Sequence, residues 1–306
     1  MSLDLPPLAD VEHLAVRTTA DGPFAEDLFF LLFTPTQVVQ IPNVAAAPLF
    51  DWMKQLPDVD YETAIRAGGC TDERLFILWR KSGAPNFGAE APARLRERLL
   101  RRLNGRGVAN AEAIADGVIA AYRQPHRHYH GLRHIQHCLW ELDRLSHATL
   151  DRELVELALF YHDVVYAPLR RDNEARSVER LRADLGAALP PALLERLASL
   201  ILATAHDGRP IPDDAEVKTL LDIDLAVLAL APLELAAYES AIVAEFAAAP
   251  RLLFRYQRKR FLKQLLRRQI FLTDAFYDRY EARARENLTT LLRTPAYRWI
   301  PVGARS

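Results

Sequence analysis

Residues 129–145 read YHGLRHIQHCLWELDRL. Leu132, Ile135, Leu139 and Leu142 recur at steps of three and four, the spacing that lines one face of an α-helix. The same period governs almost everything after residue 93. It runs through 93–103, 111–122, 132–147, 152–161, 174–187 and 191–204, and resumes at 215–230, 233–247, 251–272 and 274–293. Breaks fall at Pro125, Pro168, Pro190–Pro191, Pro210–Pro212, Pro232 and Pro250, and Asp151 reads as the N-cap of the helix ending in LALFYHD. No internal repeat or heptad seam interrupts the pattern. The spacing predicts a mainly α chain, with an all-helical bundle over residues 91–306.

Residues 1–90 read differently. Prolines punctuate short strand-like runs, EDLFFLLF at 26–33, TQVVQI at 36–41 and ERLFILWR at 73–80, with a short helix expected in VAAAPLFDWMKQL. The small, turn-forming residues of SGAPNFGAEAPA at 82–93 suit a linker or loop. A small α+β unit of separate character is expected here.

Bulk properties narrow the partners. Half of the 306 residues are apolar, enough for a sizeable core, and a net charge of −1 gives no global pull toward nucleic acid or membrane. No apolar run approaches spanning length and no basic-then-apolar leader opens the chain, so no membrane partner and a cytoplasmic setting are expected. Cys70 and Cys138 show no pairing pattern, which fits a reducing compartment.

Eight of the nine histidines fall between 126 and 206. His130 and His134 are four apart and share a helix face, which His137 continues; ordinary hydrogen bonding is the competing reading. In FYHDVVY at 160–166, His162 and Asp163 close an apolar helix, where an ionisable pair needs partners or an ion; a capping Asp163 and a satisfied core histidine are the plainer alternative. In LLDIDLAVL at 220–228, Asp222 and Asp224 interrupt an apolar run; at most one points into the core, where it asks for a cation or a donor cluster, a structural salt bridge being the alternative. Three such segments together supply the nitrogen and oxygen donors of a divalent metal site.

The order His, His–Asp, Asp on successive helices resembles the HD superfamily of metal-dependent phosphohydrolases. YHGLRHI, FYHDVVYAP followed by DNEARS at 172–177, and DIDLAVL are similar to a bacterial branch of it, as are YESAIVAEF at 238–246 and EARARENL at 281–288. The likeness covers residues of about 95–293 and implies an HD-type helical domain after the α+β unit. It implies His134, His162, Asp163 and Asp224 as ligands of one divalent ion, which manganese, cobalt, nickel, iron, zinc or magnesium would each satisfy. Asp163 would also accept a proton from the attacking water. The YH…H spacing is also similar to that of cyclic-nucleotide phosphodiesterases, which implies His130 as general acid. Those enzymes carry asparagine where this chain has Gly131, so the group that would orient His130 must differ.

The resemblance also points to His206 near the phosphate or a second ion, a helix-end histidine favoured by the dipole being the alternative. It points to Glu174 near the metal water, beside Asp172 and Asn173, which equally suit a helix N-terminus. Arg127, Arg133 and Lys218 are candidate phosphate contacts. The run RLLFRYQRKRFLKQLLRRQ at 251–269 has eight basic residues and no acid. It reads as a helix with a solvated positive face, from which Arg255, Arg258 or Arg260 would hold a phosphate if it folds over the metal. The expected activity is metal-dependent hydrolysis of a phosphomonoester or phosphodiester, with a small phosphorylated partner such as a nucleotide. The alternatives are an HD-type nucleotide-binding regulatory module without turnover and a nucleic-acid-binding helical protein. Homo-oligomerisation stays open.

Overall fold

The computed structural model describes residues 5–22, 25–146, 150–206 and 208–293. It is mainly helical, and the chain divides into two compact units. One runs up to Ala91 and takes in Ala231–Ala241; the other holds Pro92–Leu230 and Ile242–Arg293. The sequence reading did not foresee the return of 231–241 to the first unit, and 294–306 lie outside the described residues.

The first unit is built on a four-stranded antiparallel sheet: β1 His13–Thr18, β2 Leu28–Phe33, β3 Val38–Pro42 and β4 Arg74–Arg80, in the order β3-β2-β1-β4. Strand β1 and the helix α2 (Tyr61–Gly68) escape the sequence reading; the short helix expected in 44–56 is α1 (Ala47–Met53). Alternation gives the sheet two apolar faces. Leu14, Val16, Phe30, Leu32 and Leu78 pack with Leu49 and Met53 of α1 and Ala67 of α2. Ala15, Leu31, Phe33, Leu75 and Ile77 pack with Leu233 and Ala236, which is why 231–241 belongs to this unit. Arg80 and Glu234 pair at 2.8 Å within it.

The second unit is helical: α3 Ala91–Gly105, α4 Ala111–Tyr122, α5 Leu132–Asp143, α6 Arg152–Tyr161, α7 Asn173–Leu185, α8 Pro191–Ala203 and α9 Ala215–Leu225, then α10 Pro232–Glu245, α11 Arg251–Leu266 and α12 Asp274–Arg293. Of α10, only Ile242 onward counts with this unit. Every residue of α6 from Leu154 to Tyr161 is buried, the one charged member, Glu156, being paired with Arg98 and Arg102. It packs against α5, α7, α8 and α9. Asp151 caps α6 through Leu154 N–H as expected, and Asp214 caps α9 through Val217 N–H. Helix α11 stops at Leu266, short of the expected 272; beyond it Glu281 accepts the N–H groups of Ile270 and Phe271, and Asp222 of α9 holds the next two residues. The Asp222 carboxylate accepts from Leu272 N–H at 2.7 Å, Thr273 N–H at 2.8 Å and the Thr273 hydroxyl at 2.7 Å.

Candidate metal centre

The ends of α6 and α9 and the first turn of α5 meet at one point. His134 stands in the first turn of α5, His162 and Asp163 follow the last residue of α6, and Asp224 lies in the last turn of α9. His134 Nε2 is 3.1 Å from His162 Nε2 and 3.7 Å from Asp163 Oδ2, and His162 Nε2 is 3.0 Å from that oxygen. Asp224 Oδ1 lies 3.3 Å from His134 Nε2 and 3.8 Å from His162 Nε2. Donors held roughly 2.1 Å from a common ion sit roughly 3.0–3.4 Å apart, so the two imidazoles are spaced for shared coordination. The buried His134–His162–Asp163 cluster could hold a metal ion. The carboxyl ends of α6 and α9 both terminate here, adding negative potential where a cation would sit.

The rings are oriented from behind. His162 donates from Nδ1 to the Leu159 carbonyl at 2.8 Å, which leaves Nε2 for the cluster. His134 Nδ1 lies 3.0 Å from the Tyr129 hydroxyl. Burial dominates at His134 and lowers its pKa against the pull of Asp224, favouring the neutral ring that ligates. At His162 burial works in the same direction, but Asp163 and Asp224 outweigh it and raise the pKa to about 9. Burial opposes ionisation of Asp163 and Asp224 as well. Their histidine neighbours, His162 and His130 beside Asp163, His134 and His206 beside Asp224, hold both carboxyls below the usual range. Cys138 lies 3.7 Å from both His134 ring nitrogens, and burial pushes its thiol up.

His130 lies beside this cluster, its ring 5.8 Å from that of His134, and its partner is Glu245 at the end of α10. One Glu245 oxygen accepts the backbone N–H groups of Tyr129 and His130, each at 2.8 Å; the other lies 2.7 Å from His130 Nδ1 and accepts from Tyr166 Oη at 3.2 Å. Tyr166 stacks on the His130 ring at 4.2 Å. Burial opposes a charged His130, but Glu245, with Asp163 and Asp224 beyond, raises its pKa above the ordinary value. Glu245 was missed in the sequence, although it interrupts the apolar run AIVAEF as Asp222 and Asp224 interrupt theirs. Gly131 has a steric reason of its own: a Cβ there would meet the Tyr122 carbonyl at 3.2 Å.

The DNEARS run acts as a brace. Asn173 bonds Ala167 N–H and carbonyl at 3.0 and 3.1 Å, and the Ser177 hydroxyl bonds Val165 N–H and carbonyl at 3.1 and 3.3 Å. Glu174 between them feels the cluster: burial raises its pKa against its own backbone N–H, and Asp163 adds to the rise while His162 and His206 oppose it. His206 donates from Nε2 to Asp224 Oδ2 at 3.2 Å, from a backbone at φ +46° that non-glycine residues seldom adopt.

Several sequence candidates lie elsewhere. Asp222 spends its carboxylate on the 272–273 turn; burial pushes it up to about 6 despite those three donors. His137 lies against Trp140, with ring centroids 5.8 Å apart, and Lys218 pairs with Asp213. Arg127 is buried and donates to the carbonyls of His130, Asp163 and Val164 at 3.0, 2.6 and 3.0 Å. It ties the two histidine segments together rather than awaiting a phosphate. Arg133 is half-buried on α5. Arg258 lies over the Phe261 ring, which stands 6.2 Å from His206.

Comparison of the chain with protein-family models, with curated proteins and with solved structures finds no match in any of the three.

Proposed function

We propose that this chain is a metal-dependent phosphohydrolase of HD type, cleaving a phosphomonoester or phosphodiester of a nucleotide-like substrate. The observation that carries the reading is the convergence of His134, His162, Asp163 and Asp224 beside a histidine already paired with a carboxylate. The motif order, which resembles the HD superfamily, supports it independently.

These two imidazoles and two carboxylates would hold the ion, with Asp224 as the fourth ligand. Bound there, a divalent ion polarises a phosphoryl oxygen and lowers the pKa of water. Asp163 is ionised at neutral pH, and the HD resemblance implies that it would also accept the proton of the attacking water. His130, with Nδ1 engaged by Glu245, keeps Nε2 to donate to the leaving oxygen. His206 would hold the outer oxygen of Asp224, and Glu174 feels the charge of Asp163.

Tag-free protein reconstituted with manganese, assayed against nucleoside phosphates, small phosphodiesters and carboxylic esters, tests the reading. Hydrolysis of the phosphates, weak or absent hydrolysis of carboxylic esters, and loss of turnover in Asp163→Ala are expected. Equal rates for wild type and Asp163→Ala would mark the activity as contamination. Nucleotide binding without turnover on any phosphate would favour the regulatory module.

A further inference from the structure

Helix α11 makes two ring contacts, one to the residue after Glu245 and one to His206. Phe254 stacks on Phe246 at 5.3 Å, next in sequence to the Glu245 that holds His130. Phe261 packs edge-on against His206, which bonds Asp224. The seven residues between these contacts rise about 10 Å, so the helix spans from the His130 flank to the Asp224 flank. Arg258 lies between the two phenylalanines, over the Phe261 ring.

Arg251, Arg255 and Arg258 stand at i, i+4 and i+7, which places them on one stripe with steps of roughly 5–6 Å. Arg251 and Arg255 are exposed, and neither forms an ion pair among the described residues. No acidic residue occurs anywhere in 251–269. An ordinary solvated helix face carries both signs, commonly at i,i+4. Here the helix itself supplies one sign only.

We infer that the face of α11 carrying Arg251, Arg255 and Arg258 holds a second phosphate of the substrate, beyond the one that is cleaved. The inference rests on the phosphohydrolase reading for its catalytic meaning and names its substrate class: a molecule bearing at least two phosphates. Guanidinium groups suit this task because their fork of donors matches phosphate oxygens. A nucleoside polyphosphate and a short oligonucleotide share the chemistry.

The test is calorimetric titration of the metal-free protein with inorganic tripolyphosphate and with orthophosphate at several salt concentrations. Tripolyphosphate should bind more tightly than orthophosphate. Arg251→Gln/Arg255→Gln, at two exposed positions, should weaken tripolyphosphate by roughly fivefold or more and reduce the salt slope by about 2. Lys263→Gln, on the far side of the helix, should change it by less than about twofold. Wild-type protein that binds tripolyphosphate no better than orthophosphate, or a double variant that keeps full affinity, would overturn the inference. A third arm with 5′-phosphorylated tetrathymidylate identifies the source: the same loss in the double variant assigns a strand, and loss confined to tripolyphosphate assigns a polyphosphate. Turnover is read separately. Stripe-dependent binding without hydrolysis defeats the phosphohydrolase reading alone; hydrolysis with stripe-independent binding defeats only the second-phosphate site.

Discussion

Glu245 Oε2 lies 2.7 Å from His130 Nδ1, across 115 residues of chain. The pair fixes the ring and its tautomer, and the carboxylate favours the protonated imidazole. A group that donates a proton near neutrality gains from such a partner.

Replacing Glu245 by Gln should lower the His130 pKa. The acid then loses its proton at lower pH, so the alkaline limb of the pH–rate profile should move acidward, with turnover falling about 10–100-fold near pH 8. Bound metal should stay near wild-type stoichiometry. A lower Tm with an unmoved pH profile would make Glu245 a structural anchor for the 129–130 turn only.

Asp222 and Asp224 sit two residues apart with opposite expected phenotypes. Asp222→Asn sets an amide where two backbone N–H groups and a hydroxyl need an acceptor, and should cost about 2–4 kcal/mol of stability with metal binding retained in the folded fraction. Asp224→Asn should weaken metal binding by at least about tenfold with the helical signal intact. Thermal melts and metal titrations of both variants check this. Equal metal loss in both would show that the 222–224 segment acts through folding alone.

His162 gives the metal-free protein a pH signature. Its folded pKa, about 9, lies above the ordinary value of about 6.5. Its contribution to stability is therefore fully present below about pH 6.5 and is lost as pH rises through about 9. A cation must displace that proton, so metal affinity should climb as pH rises toward about 9 and level off above it. Calorimetry at pH 7 in buffers of different ionisation enthalpy should register about one proton released per ion. Proton-neutral binding would mean that His162 is not a ligand.

Local pattern and spatial convergence were legible to different degrees. The helices after residue 93 announced themselves because amphipathic periodicity is a local property. His134, His162, Asp163 and Asp224 stood out because ionisable groups in apolar surroundings demand partners. That rule alone could not separate Asp224 from Asp222: both interrupt the same run, and only the tertiary path of 272–273 shows which one meets backbone donors. Glu245 carried the same signal and was passed over because its partner is remote in sequence. Strand β1 is six residues long and its register is set by its neighbours β2 and β4, so its own residues say little. The return of 231–241 to the sheet depends on a second apolar sheet face that helical periodicity does not reveal.

The most direct measurement is a crystal structure of the manganese-loaded protein with anomalous scattering recorded near the metal edge. One strong peak within about 2.0–2.3 Å of donor atoms from His134, His162, Asp163 and Asp224 is the predicted result. A peak coordinated elsewhere, or fully soaked crystals with no peak among these four side chains, would contradict the account.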